Sequence, residues 1–324
     1  MKAVFLDAAT FPDEQSLSPP AAVTDWQTFD KTAPDQRLER LHQADIAIVN
    51  KVVIDAPLLA QLPDLKCIGV TATGTNNVDL DVCRARGIAV FNATGYAVDA
   101  IGEHCIMVML ALARNLKAYL QDTHEKGWSQ SPFFCHRMAP IHTLSGKRLV
   151  IVGKGDLGNA VASRAQALGL SVIYAERPDA ESVRPGYTAF ETALSLADIL
   201  SLHCPLTAET EGMIDRHTLS LMQPHALLIN SGRGGLVVEA DLLDALTHGQ
   251  IGAAALDVAS SEPPPTDHII WRLAALPNVI VTPHIAWSSG GAMARLLRQL
   301  EQKLNRWAEQ DPDALADSLT HDTH

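Results

Sequence analysis

The chain has 324 residues, a length for about two domains, and 47% of them are apolar, enough for substantial cores. Its net charge of −12 argues against nucleic acid or an anionic membrane as the main partner, although a locally positive pocket for a small anion is compatible with it. Cys67, Cys83, Cys105, Cys135 and Cys204 are odd in number and include no C-x-x-C pair. That excludes an evident disulfide framework or zinc site and points to a reduced, cytoplasmic setting with no bound metal.

Lys2–Leu6 reads as a strand whose apolar run stops at Asp7, so no signal peptide is visible. Further strands are expected at Ala21–Phe29, Ala44–Asn50, Leu65–Val70 and Ile88–Asn92. Helices at Leu38–Gln43, Ala56–Leu62 and Asp81–Arg86 fall between them. Such alternation implies a parallel sheet covered by helices. The small-residue loop after Val70 exposes backbone N–H groups around Thr73 and Gly74 that suit a carboxylate, and it reads equally well as a plain connection. Ala97–Gln121 is one long amphipathic segment, too rich in Met, Leu and Val to be solvated all round. Its most apolar stretch, Cys105–Ala113, is too short for a bilayer, which needs ~20 residues. The segment is therefore expected to bury a face against a second copy of the chain, giving a homodimer. Gly127–His142 has no periodicity and reads as an ordered excursion.

Leu149–Glu176 organises the rest. An apolar run, Leu149–Val152, leads into Gly153, Gly155 and Gly158 in the order G-x-G-x-x-G. A helical pattern with Val161, Ala165 and Leu168 on one face follows, and Gly169 stops it. A second apolar run, Leu170–Ala175, ends in Glu176. Strand, tight turn, helix, strand and acid in this order bring backbone N–H groups and a helix N-terminus, at Asp156, Leu157 and Gly158, up to a pyrophosphate. Glu176 would accept from the adenosine ribose hydroxyls. Arg177 beside it could accommodate a 2′-phosphate, so NAD(H) is expected over NADP(H) with that one complication.

After Glu176, strands at Ile199–His203, Leu227–Asn230, Ala253–Val258 and Val279–Thr282 each feed a loop. Ligands in open α/β sheets sit at the carboxyl ends of strands, and Arg233, Glu262 and His284 all fall just after such ends. Taken singly, each reads as a surface or structural residue. Behind a dinucleotide loop they point to hydride transfer with a small hydroxy acid. Arg233 would fork its carboxylate and carbonyl oxygen. His284 would give or take the hydroxyl proton, and Glu262 would hold the imidazole and favour its charged form. Gly291–Ala308 is a final helix, followed by a polar tail, Glu309–His324, expected to be partly disordered. The reading is two α/β units, residues 1–98 plus 290–324 and residues 99–289, the second inserted in the first.

On these residues the chain resembles the D-isomer-specific 2-hydroxyacid dehydrogenases along nearly its whole length. The matching segments are TGTNNVDL (73–80), GEHCIMVMLALAR (102–114), the Gly-rich loop, HCPLTAET (203–210), LINSGRGGLV (228–237), AALDVASSEPP (254–264) and VTPHIAW (281–287). The resemblance implies two Rossmann-like domains with parallel sheets, a flavodoxin-like substrate domain and a doubly wound NAD-binding domain. It implies Arg233, Glu262 and His284 as the catalytic trio, and Asp257 as acceptor for the nicotinamide amide. Cys204 and Pro205 would pack along the cofactor, with His203, Ser231 and Gly232 completing that set. Thr73, Gly74 and Trp287 would meet the substrate. Trp128–Phe134 and Pro283–Trp287 look most like the glycerate dehydrogenase (hydroxypyruvate reductase) branch. Another 2-keto acid, of the phosphoglycerate or D-lactate type, and an NAD-sensing corepressor-like protein are the alternatives. Two positions depart from the family: Lys154 replaces an aromatic or aliphatic residue in the Gly-rich loop, and Val98 replaces a Thr or Ser that bonds the pyrophosphate. Losing that hydroxyl, worth about 0.5–1.5 kcal/mol, weakens cofactor binding, which Lys154 can offset electrostatically.

Overall fold

The structure, a computed structural model, describes residues 1–320. It divides into two compact units, Met1–Ala97 with the chain from Ser288 onward, and Val98–Trp287. The cuts lie one and two residues ahead of those expected, because Val98 already opens a helix and Ser289 caps the last one.

In the first unit β1 (Lys2–Phe5), β2 (Asp25–Thr28), β3 (Ile46–Val49), β4 (Cys67–Val70) and β5 (Ala89–Phe91) form one parallel sheet in the order β2-β1-β3-β4-β5. That is the flavodoxin-like order. Every residue of β3 and β4 is buried, as strands covered on both faces must be. Helices α1 (Arg37–Leu41), α2 (Ala56–Leu59) and α3 (Leu80–Ala85) connect them. Asp7, just past β1, accepts from the N–H groups of Asn50, Lys51 and Val52 at 2.7, 2.7 and 3.1 Å and so fixes the loop after β3. The expected strand at Ala21–Phe29 pairs only over β2, since Val23 N–H closes a turn onto Pro20 O before it.

The second unit begins with α4 (Val98–Ala113) and α5 (Leu116–His124). Then follow β6 (Arg148–Val152), α6 (Asp156–Ala167), β7 (Ser171–Ala175), α7 (Phe190–Leu196), β8 (Ile199–Leu202), α8 (Arg216–Leu221), β9 (Leu227–Asn230), α9 (Glu239–Thr247), β10 (Ala253–Leu256), α10 (Ile270–Ala275) and β11 (Val279–Val281). Its six strands are parallel in the order β11-β10-β9-β8-β6-β7. A single parallel bridge, Ala175 to Thr188, stands where a doubly wound sheet carries one more strand beyond β7. Strand order reverses between β6 and β8, and that switch point is where such sheets bind ligands.

Two segments take forms that the sequence pattern does not spell out. Ala97–Gln121 is not one helix: Asn115 adopts φ 50° between α4 and α5 and donates to Pro140 O at 2.6 Å. Asn tolerates this left-handed conformation, so the chain turns there despite an apolar pattern that continues on both sides. The polar tail is also ordered over its described part. The last helix, α11 (Gly290–Ala308), runs into a 3-10 turn at Pro312–Asp317. Beyond it, Leu319 N–H donates to Val90 O at 2.9 Å and Thr320 Oγ1 to Ile88 O at 2.8 Å. The final four residues of the expected disordered tail lie outside the described residues.

Candidate functional site

Gly153 follows β6 with φ 101°, and a Cβ there would stand 2.6 Å from His203 C and O and 2.7 Å from Cys204 N. Only glycine lets the turns after β6 and β8 approach this closely. A Cβ on Gly158 would collide with Gly153 O, so α6 packs directly on the turn. Gly155, the N-cap of α6, faces open space instead. The first-turn N–H groups of Asp156, Leu157 and Gly158 therefore stand at the mouth of an open cradle, which fits a dinucleotide pyrophosphate.

His203 continues from β8, its N–H on Val152 O at 2.8 Å and its Nε2 2.8 Å from Ser201 Oγ. Burial holds its pKa down at about 4, so the ring is neutral near pH 7. Burial also pushes the Cys204 thiol up to about 11 and the Cys105 thiol, 3.2 Å from Ser231 Oγ, up to about 12; both are inert. Pro205 O accepts from Thr210 Oγ1 at 2.7 Å.

Glu176 departs from the simple picture of an acid awaiting a ribose. Its side chain is 1% exposed, and both oxygens are taken within the protein. Oε1 accepts from Arg177 N–H at 2.9 Å and Arg184 Nη2 at 2.6 Å; Oε2 accepts from Arg184 N–H at 3.1 Å and Nε at 2.7 Å. The Arg184 fork, reinforced by the Arg177 N–H, holds the carboxyl at about 2. Lys154 lies 4.6 Å from the Tyr174 ring centroid and 5.4 Å from that of Tyr187, so its charge sits over aromatic faces.

The other end of the sheet carries the acid–base candidates. After β9, Asn230 shapes the turn, taking Gly232 N–H on Oδ1 at 3.1 Å and giving Nδ2 to Arg233 O at 2.9 Å. Arg233 is exposed, and its Nη1 donates to Gly232 O at 2.8 Å. A Cβ on Gly234 would collide with the Ala259 carbonyl, so this turn abuts the loop after β10. In that loop Glu262 Oε1 accepts from Ala259 N–H at 3.0 Å, while Oε2 stands 2.6 Å from His284 Nδ1. The structure thus joins Glu262 and His284 and sets Arg233 on the adjoining turn.

Asp257 underlies the pair. Its buried Oδ1 accepts from Thr282 Oγ1 at 2.6 Å and Ile285 N–H at 2.9 Å, and Oδ2 from Ala286 N–H at 2.8 Å. Its backbone carbonyl takes His284 N–H at 2.8 Å. These bonds close the turn in which His284 sits at φ 54°. Asp257, expected as a nicotinamide acceptor, makes these bonds within the turn. His104 Nε2 is 3.9 Å away, and burial lowers its pKa.

Sequence reasoning missed a second support. Glu239, at the start of α9, accepts from Ser260 N–H at 2.9 Å and Oγ at 2.8 Å, and His268 Nε2 lies 3.1 Å from that hydroxyl. The trio anchors the loop bearing Glu262; a buried acid opening a helix was the only signal for it. Trp287 is half-buried at the end of the His284 turn. In the first unit, Thr73 and Gly74 follow β4, and that loop is tied to the end of β5: Thr73 Oγ1 donates to Ala93 O at 2.9 Å and Asn92 Nδ2 to Thr73 O at 2.7 Å.

A pyrophosphate cradle and an acid–imidazole pair at the carboxyl edge of one sheet define a dinucleotide-dependent dehydrogenase. Residues 106–286 match the family model described as D-isomer specific 2-hydroxyacid dehydrogenase, NAD binding domain. The chain is 41% identical over 297 residues to a glycerate dehydrogenase of Methylorubrum extorquens, covering 91% of this chain and 92% of that one. It is 32% identical over 319 residues to a hydroxypyruvate reductase of Blautia hydrogenotrophica, covering 96% and 98%. A D-lactate dehydrogenase of Aquifex aeolicus, solved with NAD and lactic acid, shares the fold at a TM-score of 0.83 and 24% identity, covering 99% and 100%. The chain belongs to the D-isomer-specific 2-hydroxyacid dehydrogenase family, and it is an NAD-dependent oxidoreductase acting on the CH–OH group of its donor.

Proposed function

We propose that this enzyme reduces hydroxypyruvate and glyoxylate to D-glycerate and glycolate. The observation that carries the mechanism is the 2.6 Å contact between His284 Nδ1 and Glu262 Oε2, which leaves Nε2 as the ring nitrogen for a substrate oxygen. NADH, which the N–H groups at the start of α6 would hold, would supply the hydride for the keto carbon. His284 gives the carbonyl oxygen its proton from Nε2, and Glu262 holds the imidazole through Nδ1. Arg233 pairs with the substrate carboxylate and polarises the carbonyl. Asp156, Leu157 and Gly158 hold the pyrophosphate through their N–H groups. The names of the two relatives favour hydroxypyruvate over other 2-keto acids. The test is NADH oxidation against hydroxypyruvate, glyoxylate, pyruvate and phosphohydroxypyruvate. The highest kcat/KM is expected with one of the first two, and a higher value with pyruvate or the phosphorylated acid would reassign the substrate.

The same reading makes the enzyme a homodimer in the cytoplasm. No described helix is long and apolar enough to cross a membrane, and all five cysteines are free thiols. Phe134 is 91% exposed and Leu120 61%, with Met107, Leu110, Leu116, Trp128 and Phe133 exposed on the same unit. Apolar surface on this scale is characteristic of a chain–chain interface. Sedimentation equilibrium at micromolar concentration should return the mass of two chains; the mass of one would exclude the dimer.

A further inference from the structure

The end of β7 carries more positive charge than an NAD-selective ribose site calls for. A lone acid there selects NAD in two ways: it accepts from the 2′- and 3′-hydroxyls, and it repels a 2′-phosphate. Glu176 is placed for neither. It is 1% exposed, and its oxygens already hold four donors from Arg177 and Arg184. The Arg184 guanidinium both forks the carboxylate and stacks on the Tyr187 ring, 4.1 Å from its centroid. One face of the cation is thus braced by an aromatic ring while its edge neutralises the acid.

Around this neutralised pair stand two more cations. The Arg177 side chain is 78% exposed, with Nε 3.9 Å from Glu176 Oε1. Lys154, from the Gly-rich loop itself, lies over Tyr174 and Tyr187. Glu209, whose carboxyl is held down first by its bond to Thr207 and in smaller part by Arg177, also faces the cluster, so two acids and three bases leave a formal charge of +1. The cluster surrounds the strand end at which the adenosine ribose of a dinucleotide binds in this kind of sheet.

We infer that Arg184 is a positioning residue for cofactor choice: by masking Glu176 it opens the ribose site to a 2′-phosphate, which Arg177 and Lys154 receive, so the enzyme binds NADPH as well as NADH. The inference rests on the cofactor site alone and is independent of which 2-keto acid is reduced.

The test is equilibrium binding without substrate. Purified enzyme is titrated with NADH, NADPH, 5′-ADP and 2′,5′-ADP, by calorimetry or by quenching of tryptophan fluorescence. The expected parent Kd for NADPH lies within tenfold of that for NADH, and a larger gap in favour of NADH overturns the inference. Arg177→Ala, at an exposed position, should weaken NADPH and 2′,5′-ADP at least fivefold more than NADH and 5′-ADP; a smaller difference overturns the role of Arg177. Arg184→Ala should move the selectivity at least tenfold toward NADH by uncovering Glu176. Arg184→Lys, which keeps a positive charge against the acid, should stay within threefold of the parent ratio. If Arg184 merely shaped the loop, both dinucleotides would weaken together and their ratio would hold. That result refutes masking, and should Arg184→Ala fail to fold, the parent ratio and the Arg177→Ala ratio decide.

Discussion

His284→Asn should bind NADH within about threefold of the parent and lose about 10²–10⁴-fold in turnover, the usual worth of a positioned general acid. Asn preserves a polar side chain of similar reach and, like His, tolerates the φ of 54° that this position requires, so the turn survives the change. On the proposed mechanism, what disappears is the proton donor to the carbonyl oxygen. Glu262→Gln keeps an oxygen near Nδ1 but removes the carboxylate that makes the short contact with the ring. Its turnover should therefore fall by less than that of His284→Asn, because the ring keeps its proton donor but loses its strongest brace. Arg233→Ala should raise KM for the keto acid more than it alters NADH affinity. Steady-state kinetics from pH 5 to 9 on the three variants separate these roles. Near-parental turnover by His284→Asn would remove the histidine from the mechanism whatever the others showed.

The next largest effect is expected at Asp257. Its carboxylate holds Thr282 Oγ1 and the N–H groups of Ile285 and Ala286. Hydrogen bonds to a charged group contribute about 1.5–3 kcal/mol each, and an amide cannot replace both oxygens as acceptors. Asp257→Asn turns an NH2 toward one of those donors and leaves a buried N–H unmatched. Unfolding free energy should drop by about 3 kcal/mol. Turnover should drop by about 10²-fold as the His284 turn shifts, because displacement of about 1 Å at an acid–base group has that cost. NADH affinity should change by less than about fivefold. A variant that keeps its urea midpoint and its kcat but loses NADH affinity would instead make Asp257 a cofactor contact and nothing more.

These two residues also show what could be read from the sequence and what could not. The strand ends that place His284, Glu262 and Arg233 were legible because parallel strands buried on both faces leave continuous apolar runs, and the stretch after each run marks the sheet's ligand-binding edge. The strand at Leu227–Asn230 is reproduced residue for residue by β9. Asp257 was pointed to only by the family resemblance; its partners come from a turn 25 to 29 residues away, and no local pattern announces them. Arg184 was missed for the same reason. It lies eight residues past Glu176 in a loop without periodicity, so only the folded loop shows the fork. The break at Asn115 was hidden by apolar residues that fit a helix on either side. The attachment of the tail's described part escaped notice because it rests on polar residues and not on a buried apolar stripe: Ser318 Oγ accepts from Val90 N–H, and Thr320 Oγ1 donates to Ile88 O.

The configuration of the product tests the central reading most directly. Hydroxypyruvate is incubated with the enzyme and NADH, and the glycerate formed is resolved on a chiral column and counted against NADH consumed. D-glycerate at one molecule per NADH is the expected result. L-glycerate, a racemate, or no NADH consumption with hydroxypyruvate or any other 2-keto acid would contradict it.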